Sequence, residues 1–148
     1  MRAGILSPMA RKTTNKLQET LIQYLAQRED VPFAYLFGSY AEGRANRLSD
    51  LDVAVYLKQH SRSEREEVRL TLTTDIMKAV NMNNVDVLIL NDAPPLVAYR
   101  ATGRGIVLKD SVDSARAEFE VRCLGNYLDF KYYMDRHNAA LRKRIREE

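Results

Sequence analysis

This sequence predicts a single α/β domain, and three observations predict it. Short β-rich apolar runs alternate with stretches of helical periodicity, no repeat, low-complexity tract or linker interrupts the chain, and 148 residues suit one core. The expected architecture is a short mixed β-sheet flanked by helices, with a long C-terminal helix or helix pair. The domain is expected to span residues 1–148, with its core at about 33–109 and a C-terminal helical region at about 113–146. A chain of this length buries roughly two-thirds of its unfolded surface, so it needs no disulfide framework. The single cysteine, Cys123, has no partner in the chain and suits a reducing compartment. With 45% hydrophobic and 29% charged residues the composition excludes a disordered or fibrous chain. No apolar run approaches the roughly 20 residues of a membrane span, and Met1–Pro8 lacks the apolar centre of a secretory signal. The expected location is the cytoplasm, with no membrane association.

The elements follow in order. From Met9 to Arg28, Leu17, Leu21, Tyr24 and Leu25 recur at helical spacing and Pro32 ends the segment. Phe33–Phe37 is a buried strand closing at Gly38, and Ser39 and Glu42 have the spacing of a capping box for a short helix ending near Gly43. Asp52–Leu57 is the second strand. Ser63 and Glu66 suggest a second capping box, opening a helix to Val80 on which Val68, Leu72, Ile76 and Val80 repeat every four residues. Val85–Leu90, nearly all apolar, reads as a central strand interrupted by one acid, Asp86. Pro94 and Pro95 open a helix to Gly103, and Gly105–Lys109 is the last strand. From Asp113 to Ile145 the stripe Phe119, Cys123, Tyr127, Phe130, Met134, Leu141 and Ile145 gives one helix, or two joined near Gly125.

Three features carry chemistry. Asp50 and Asp52 stand two apart at the start of a strand, so they share a face and aim their carboxylates into one volume. Carboxylates held that close raise each other's pKa unless a cation sits between them, and hard oxygen ligands of this kind suit Mg²⁺. If the third strand lies beside the second, Asp86 completes a three-carboxylate site able to hold two metals. The Gly38-Ser39 turn supplies the other half: a glycine that lets backbone approach a ligand, and free N–H groups at a helix start that face an anion such as a triphosphate. Each element alone is weak. Gly-Ser followed ten residues later by Asp-x-Asp, however, arises by chance in such a chain with a probability on the order of one in a thousand.

Gly38-Ser39, ten residues and then Asp50-Leu51-Asp52 resemble the signature of the DNA polymerase β-like nucleotidyltransferase superfamily, with Asp86 where that superfamily places its third carboxylate. The fuller run FGSYAEGRANRLSDLDVAVYL resembles its minimal nucleotidyltransferase (MNT) branch over roughly Phe33 to Lys109, and the YLDF run at Tyr127–Phe130 is similar to the tails of MntA-type antitoxins. The resemblance implies that Gly38 and Ser39 hold the β- and γ-phosphates of ATP, and that Asp50 and Asp52 coordinate two Mg²⁺ ions. It further implies that Asp86 binds the catalytic metal and helps deprotonate an acceptor hydroxyl. In the MntA-type branch that acceptor is a tyrosine of a partner HEPN-domain RNase toxin, silenced by AMP transfer within a toxin–antitoxin pair. Two alternatives stay open: a binding antitoxin that only covers its toxin, and a transferase for a small-molecule acceptor.

Other residues carry paired readings. Lys+Arg 23 against Asp+Glu 20 leaves a net +3, concentrated at the two ends of the chain. These ends read as solvated helix faces, or as a site for an acidic partner or nucleic acid; a nucleic-acid-binding module is the weakest of the alternative functions, and direct nucleic-acid binding is not expected. Arg44, Arg47, Arg100 and Arg104 are either solvated or in reach of phosphate. Tyr40 either packs or stacks on a base, and Tyr127, Phe130, Tyr132 and Tyr133 are either core or a partner-docking surface. His60 and His137 lack a second ligand at metal spacing, and Cys123 reads as a buried thiol.

Overall fold

The computed structural model describes residues 8–58, 61–111 and 114–147, with side chains from Asn15 onward. Its elements run α1 (Pro8–Ala26), β1 (Phe33–Phe37), α2 (Ser39–Glu42), β2 (Leu51–Tyr56), α3 (Arg62–Val80), β3 (Val85–Ile89), a 3-10 turn (Leu90–Asp92), α4 (Pro95–Arg104), β4 (Ile106–Asp110) and α5 (Ala115–Glu147). The four strands form one sheet in the order β3-β2-β1-β4. β1 is antiparallel to β2 and β4, whereas β2 runs parallel to β3 through the α3 crossover, so the sheet is mixed.

Strand alternation sends side chains to two cores. One face carries Leu36, Val53, Val55, Val87 and Ile89 against Leu21 and Leu25 of α1 and Leu72 and Ile76 of α3. The other carries Phe33, Tyr35 and Ala54 against Ala98 and Ala101 of α4 and Phe119 and Cys123 of α5. Both faces are therefore covered by helices. On the second face Phe33 stacks on Tyr56 at 4.8 Å between ring centroids, and Phe119 packs against both rings. Burial pushes the Cys123 thiol up, as expected of a core cysteine.

Several expectations are corrected. Gly38, not Ser39, is the N-cap of α2; Ser39 is its first helical residue, and the Glu42 carboxylate is taken by Arg44 rather than by a capping box. The capping box of α3 sits two residues early. Ser61 Oγ accepts from Glu64 N–H at 3.3 Å and Glu64 Oε2 accepts from Ser61 N–H at 3.1 Å, while Glu66 pairs with Arg69. β3 lies at the sheet edge, not its centre. It reads as apolar because Val87 and Ile89 are buried under α3, whereas on its other face Leu88 is half-buried and Asp86 exposed. α5 is one helix, continuous through Gly125, and its apolar stripe is buried only at Phe119 and Cys123: Phe130, Met134, Leu141 and Ile145 are exposed because α5 outruns α4, the helix it packs on. His60, and Asp113 at the expected start of the last helix, lie outside the described residues.

Candidate active site

The parallel pairing of β2 with β3 sets Asp52 opposite Asp86, and the antiparallel pairing of β1 with β2 sets Phe37 opposite Asp52. Asp52 shares its face with Ala54 and Tyr56, and Asp86 shares its face with Leu88, so both acids lie on the α4/α5 side of the sheet at one end of their strands. Gly38 follows directly from β1 and crosses Asp52 with φ 71° and ψ −154°, a backbone region reserved for glycine. A Cβ at Gly38 would fall within contact of Asp52 Oδ2 and 3.1 Å from its Cγ. Asp50 precedes β2 and is exposed, at the end of a loop shaped by Asn46, whose Oδ1 accepts from Leu48 N–H at 2.8 Å.

Electrostatics single out Asp52. Its carboxyl is pushed up from 3.8 to about 6, first by burial and then by the charges of Asp86 and Asp50. Among the described residues none of the three acids is held in an ion pair, although Arg69, whose guanidinium is bound to Glu66, also feels Asp86. Hard oxygen donors crowded without a counter-charge are the donor chemistry of a divalent cation such as Mg²⁺. Among the described residues, no three His, Cys, Asp or Glu side chains close into a metal-holding group. Mg²⁺ does not demand that closure, because it usually takes one or two carboxylates and completes its shell with water and substrate phosphate.

The family model described as polymerase beta, nucleotidyltransferase matches residues 19–113, which include the Gly38 turn and all three acids. The chain belongs to the polymerase β nucleotidyltransferase family. The fold of this nucleotidyltransferase is similar to that of a toxin–antitoxin solved with AMP-PNP, at TM-score 0.70 and 22% identity over 84% of this chain and 97% of that one. It is also similar to an MntA-HepT toxin–antitoxin, at TM-score 0.62 and 18% identity over 88% and 97%. A third likeness is to a complex of an MNT antitoxin with a tri-AMPylated HEPN toxin from Shewanella oneidensis, at TM-score 0.63 and 19% identity over 89% and 98%. At these identities the three likenesses establish the fold. No protein of curated function matches the sequence. Among the described residues of the nucleotidyltransferase no helix is long and apolar enough to cross a membrane.

Arg44, Arg100 and Arg104, which the sequence left with two readings, come together beside Gly38. A cavity of about 350 Å³ opens beside Gly38, lined by Phe37, Glu42, Arg44, Val97, Arg100 and Arg104. Glu42 binds Arg44 and lies 3.6 Å from Arg104, and these two guanidiniums, Arg44 first, hold its carboxyl below the usual range. Arg47 stays exposed, and Tyr40 packs against the α1/α3 core. Asn84 carried no sequence signal, yet it fixes the site's register. Its Nδ2 donates to Ser49 O at 2.5 Å, and its backbone carbonyl accepts from Leu51 N–H at 2.8 Å, tying the start of β2 to the start of β3. At the far end Asn91 does the same for Leu57, whose N–H it accepts and whose carbonyl it binds, both at 2.9 Å.

Proposed function

We propose that this chain is a Mg²⁺-dependent nucleotidyltransferase that moves AMP from ATP to a hydroxyl of a partner protein. In this reading the hydroxyl is a tyrosine of a HEPN-domain RNase toxin, and the chain is that toxin's antitoxin. The observation that carries the reading is the register pairing of Asp52 with Asp86 directly beside the Gly38 turn, in a chain of the polymerase β nucleotidyltransferase family. The MNT antitoxin and the AMPylated HEPN toxin among the similar structures supply the acceptor class.

The residues divide the work. Gly38 brings backbone close to the triphosphate, and Ser39 opens the helix turn whose leading N–H groups face the β- and γ-phosphates. Asp50, Asp52 and Asp86 would hold the Mg²⁺, which when bound neutralises charge on the triphosphate oxygens. Asp86 takes the proton of the acceptor hydroxyl, whose oxygen then forms a bond to the α-phosphorus as the bond to the β-phosphate oxygen breaks and pyrophosphate leaves. Arg44, Arg100 and Arg104 receive the charge that develops on the departing pyrophosphate, since their cavity begins at Gly38. Most of the acceleration then comes from positioning and charge neutralisation.

The deciding experiment is intact mass spectrometry after incubation with Mg²⁺ and ATP, with and without the protein encoded beside this chain, and with Asp52→Asn as control. A partner mass rising in whole AMP units, and not with the variant, is the expected result. A stable complex with no added mass on either protein would replace AMP transfer by neutralisation through binding alone.

A further inference from the structure

α5 runs far past the body of the domain. Phe119 and Cys123 are buried, and Tyr127 stacks on Tyr99 of α4 with ring centroids 4.0 Å apart and planes at 3°. Every residue from Leu128 to Glu147 is exposed, a helical arm roughly 30 Å long at 1.5 Å per residue. The arm is not polar all round. Phe130, Met134, Leu141 and Ile145 fall within about 80° of arc with Phe119 and Cys123, interrupted only by His137 on the same arc, so the face that seals the core continues outward as an open, mainly apolar seam. A helix of this length gains little from propensity alone and is stabilised by whatever covers its apolar face.

We propose that α5 beyond Tyr127 is a docking arm for a protein whose surface offers an apolar groove rimmed by aspartates and glutamates. The charge of the arm selects that partner. Between Lys131 and Glu147 six basic side chains stand against Asp135 and Glu147, a net of +4, with Lys131 and Arg142 flanking the seam on one side and Arg144 on the other. A second copy of the chain would set two such segments side by side, a like-charge arrangement that disfavours self-pairing. Nucleic acid would use the arginines and leave Met134, Leu141 and Ile145 without a role. The arm also leads to the site. Tyr127 lines a cavity of about 360 Å³ with Arg100 and Arg104, the same arginines that line the cavity at Gly38, so a partner gripped by the arm lies next to that cavity.

The test uses two amphipathic helical peptides with the same leucine seam, one flanked by glutamates and one by lysines, and fluorescence anisotropy with the full chain. Neither nucleotide nor acceptor is present, so the outcome is independent of AMP transfer. The glutamate peptide is expected to bind at least about tenfold more tightly than the lysine peptide, and to weaken as salt rises. Leu141→Glu with Ile145→Glu should abolish binding. Arg142→Glu with Arg144→Glu should reverse the preference toward the lysine peptide while keeping the arm helical by circular dichroism. Equal binding of both peptides, or of neither, would overturn the proposal. So would a concentration-dependent dimer in sedimentation equilibrium that Leu141→Glu dissolves, or a single-stranded RNA bound in a way that Leu141→Glu leaves unchanged.

Discussion

Gly38 and Asp52 are packed so closely that the glycine has no room for a side chain: a Cβ there would press on Asp52 Oδ2 and lie 3.1 Å from Asp52 Cγ. The backbone of Gly38, at φ 71° and ψ −154°, independently excludes other residues. Gly38→Ala is therefore expected to strain the turn by about 1–3 kcal/mol. It should also push the Asp52 carboxylate out of place, where a displacement of about 1 Å can cost on the order of 100-fold in rate. Thermal unfolding would show the first effect and AMP transfer at saturating ATP the second. Normal activity in a destabilised variant would separate the turn from the chemistry.

Asp52 contributes unfavourably to stability at neutral pH. Its folded pKa, about 6, lies above the ordinary 3.8, so between these values the folded state holds more of the proton and stability falls as pH rises. Asp52→Asn removes a carboxylate that burial, Asp86 and Asp50 all disfavour, and is expected to raise Tm at pH 7.5 by about 3 °C while leaving it unchanged at pH 4. Solvent screening of a part-exposed group keeps the gain modest. Scanning calorimetry at the two pH values checks the sign. A fall in Tm at pH 7.5 would mean that Asp52 is held by a favourable contact instead.

Much of this was legible in the sequence, for physical reasons that differ by residue. Phe33–Phe37 and Leu72/Ile76 were readable because burial repeats with the period of the strand or the helix. The acids were readable because Asp50 and Asp52 are two apart, and Asp86 joined them only through the parallel register that α3 makes possible. Cap positions were not: Ser61 and Ser63 both have a Glu three residues on, and only the chain's path chooses between them. Exposure of Phe130 and Leu141 was equally hidden, since a seam that awaits a partner has the same periodicity as a core. Arg100 and Arg104 reach Gly38 from a helix far along the chain, which no local pattern encodes.

The two asparagine clasps separate register at the site from register elsewhere. Asn84 ties Ser49 to the start of β3, next to the acids, whereas Asn91 ties Leu57 at the opposite end of the same strand pair. Asn84→Ala and Asn91→Ala are each expected to lose about 1–2 kcal/mol of stability with the side-chain hydrogen bonds. Only Asn84→Ala should also lower AMP transfer, by about tenfold or more, because Asp50 and Asp52 follow Ser49 directly. Paired measurement of urea midpoints and kcat decides it. Equal kinetic losses in both variants would assign the effect to general loosening of the sheet.

In the proposed reaction Glu42 competes with the nucleotide for arginine. It engages Arg44 and stands 3.6 Å from Arg104 at the mouth of the cavity beside Gly38, so both guanidiniums are partly neutralised there. Under the proposed function, a triphosphate arriving at Gly38 would draw them away from that carboxylate, and the cost is set by an exposed pair, which is small. Arg104→Gln is accordingly expected to raise the KM for ATP several-fold, as removal of a charge-assisted contact of about 1.5–3 kcal/mol would do after discounting for exposure. Glu42→Gln releases both arginines and should shift KM in the opposite direction, by about twofold to threefold, with a steeper dependence on ionic strength. Steady-state kinetics at low and high salt distinguish the two. An increase in KM on Glu42→Gln would mean that Glu42 orients Arg44 and Arg104 for the phosphates instead of withholding them.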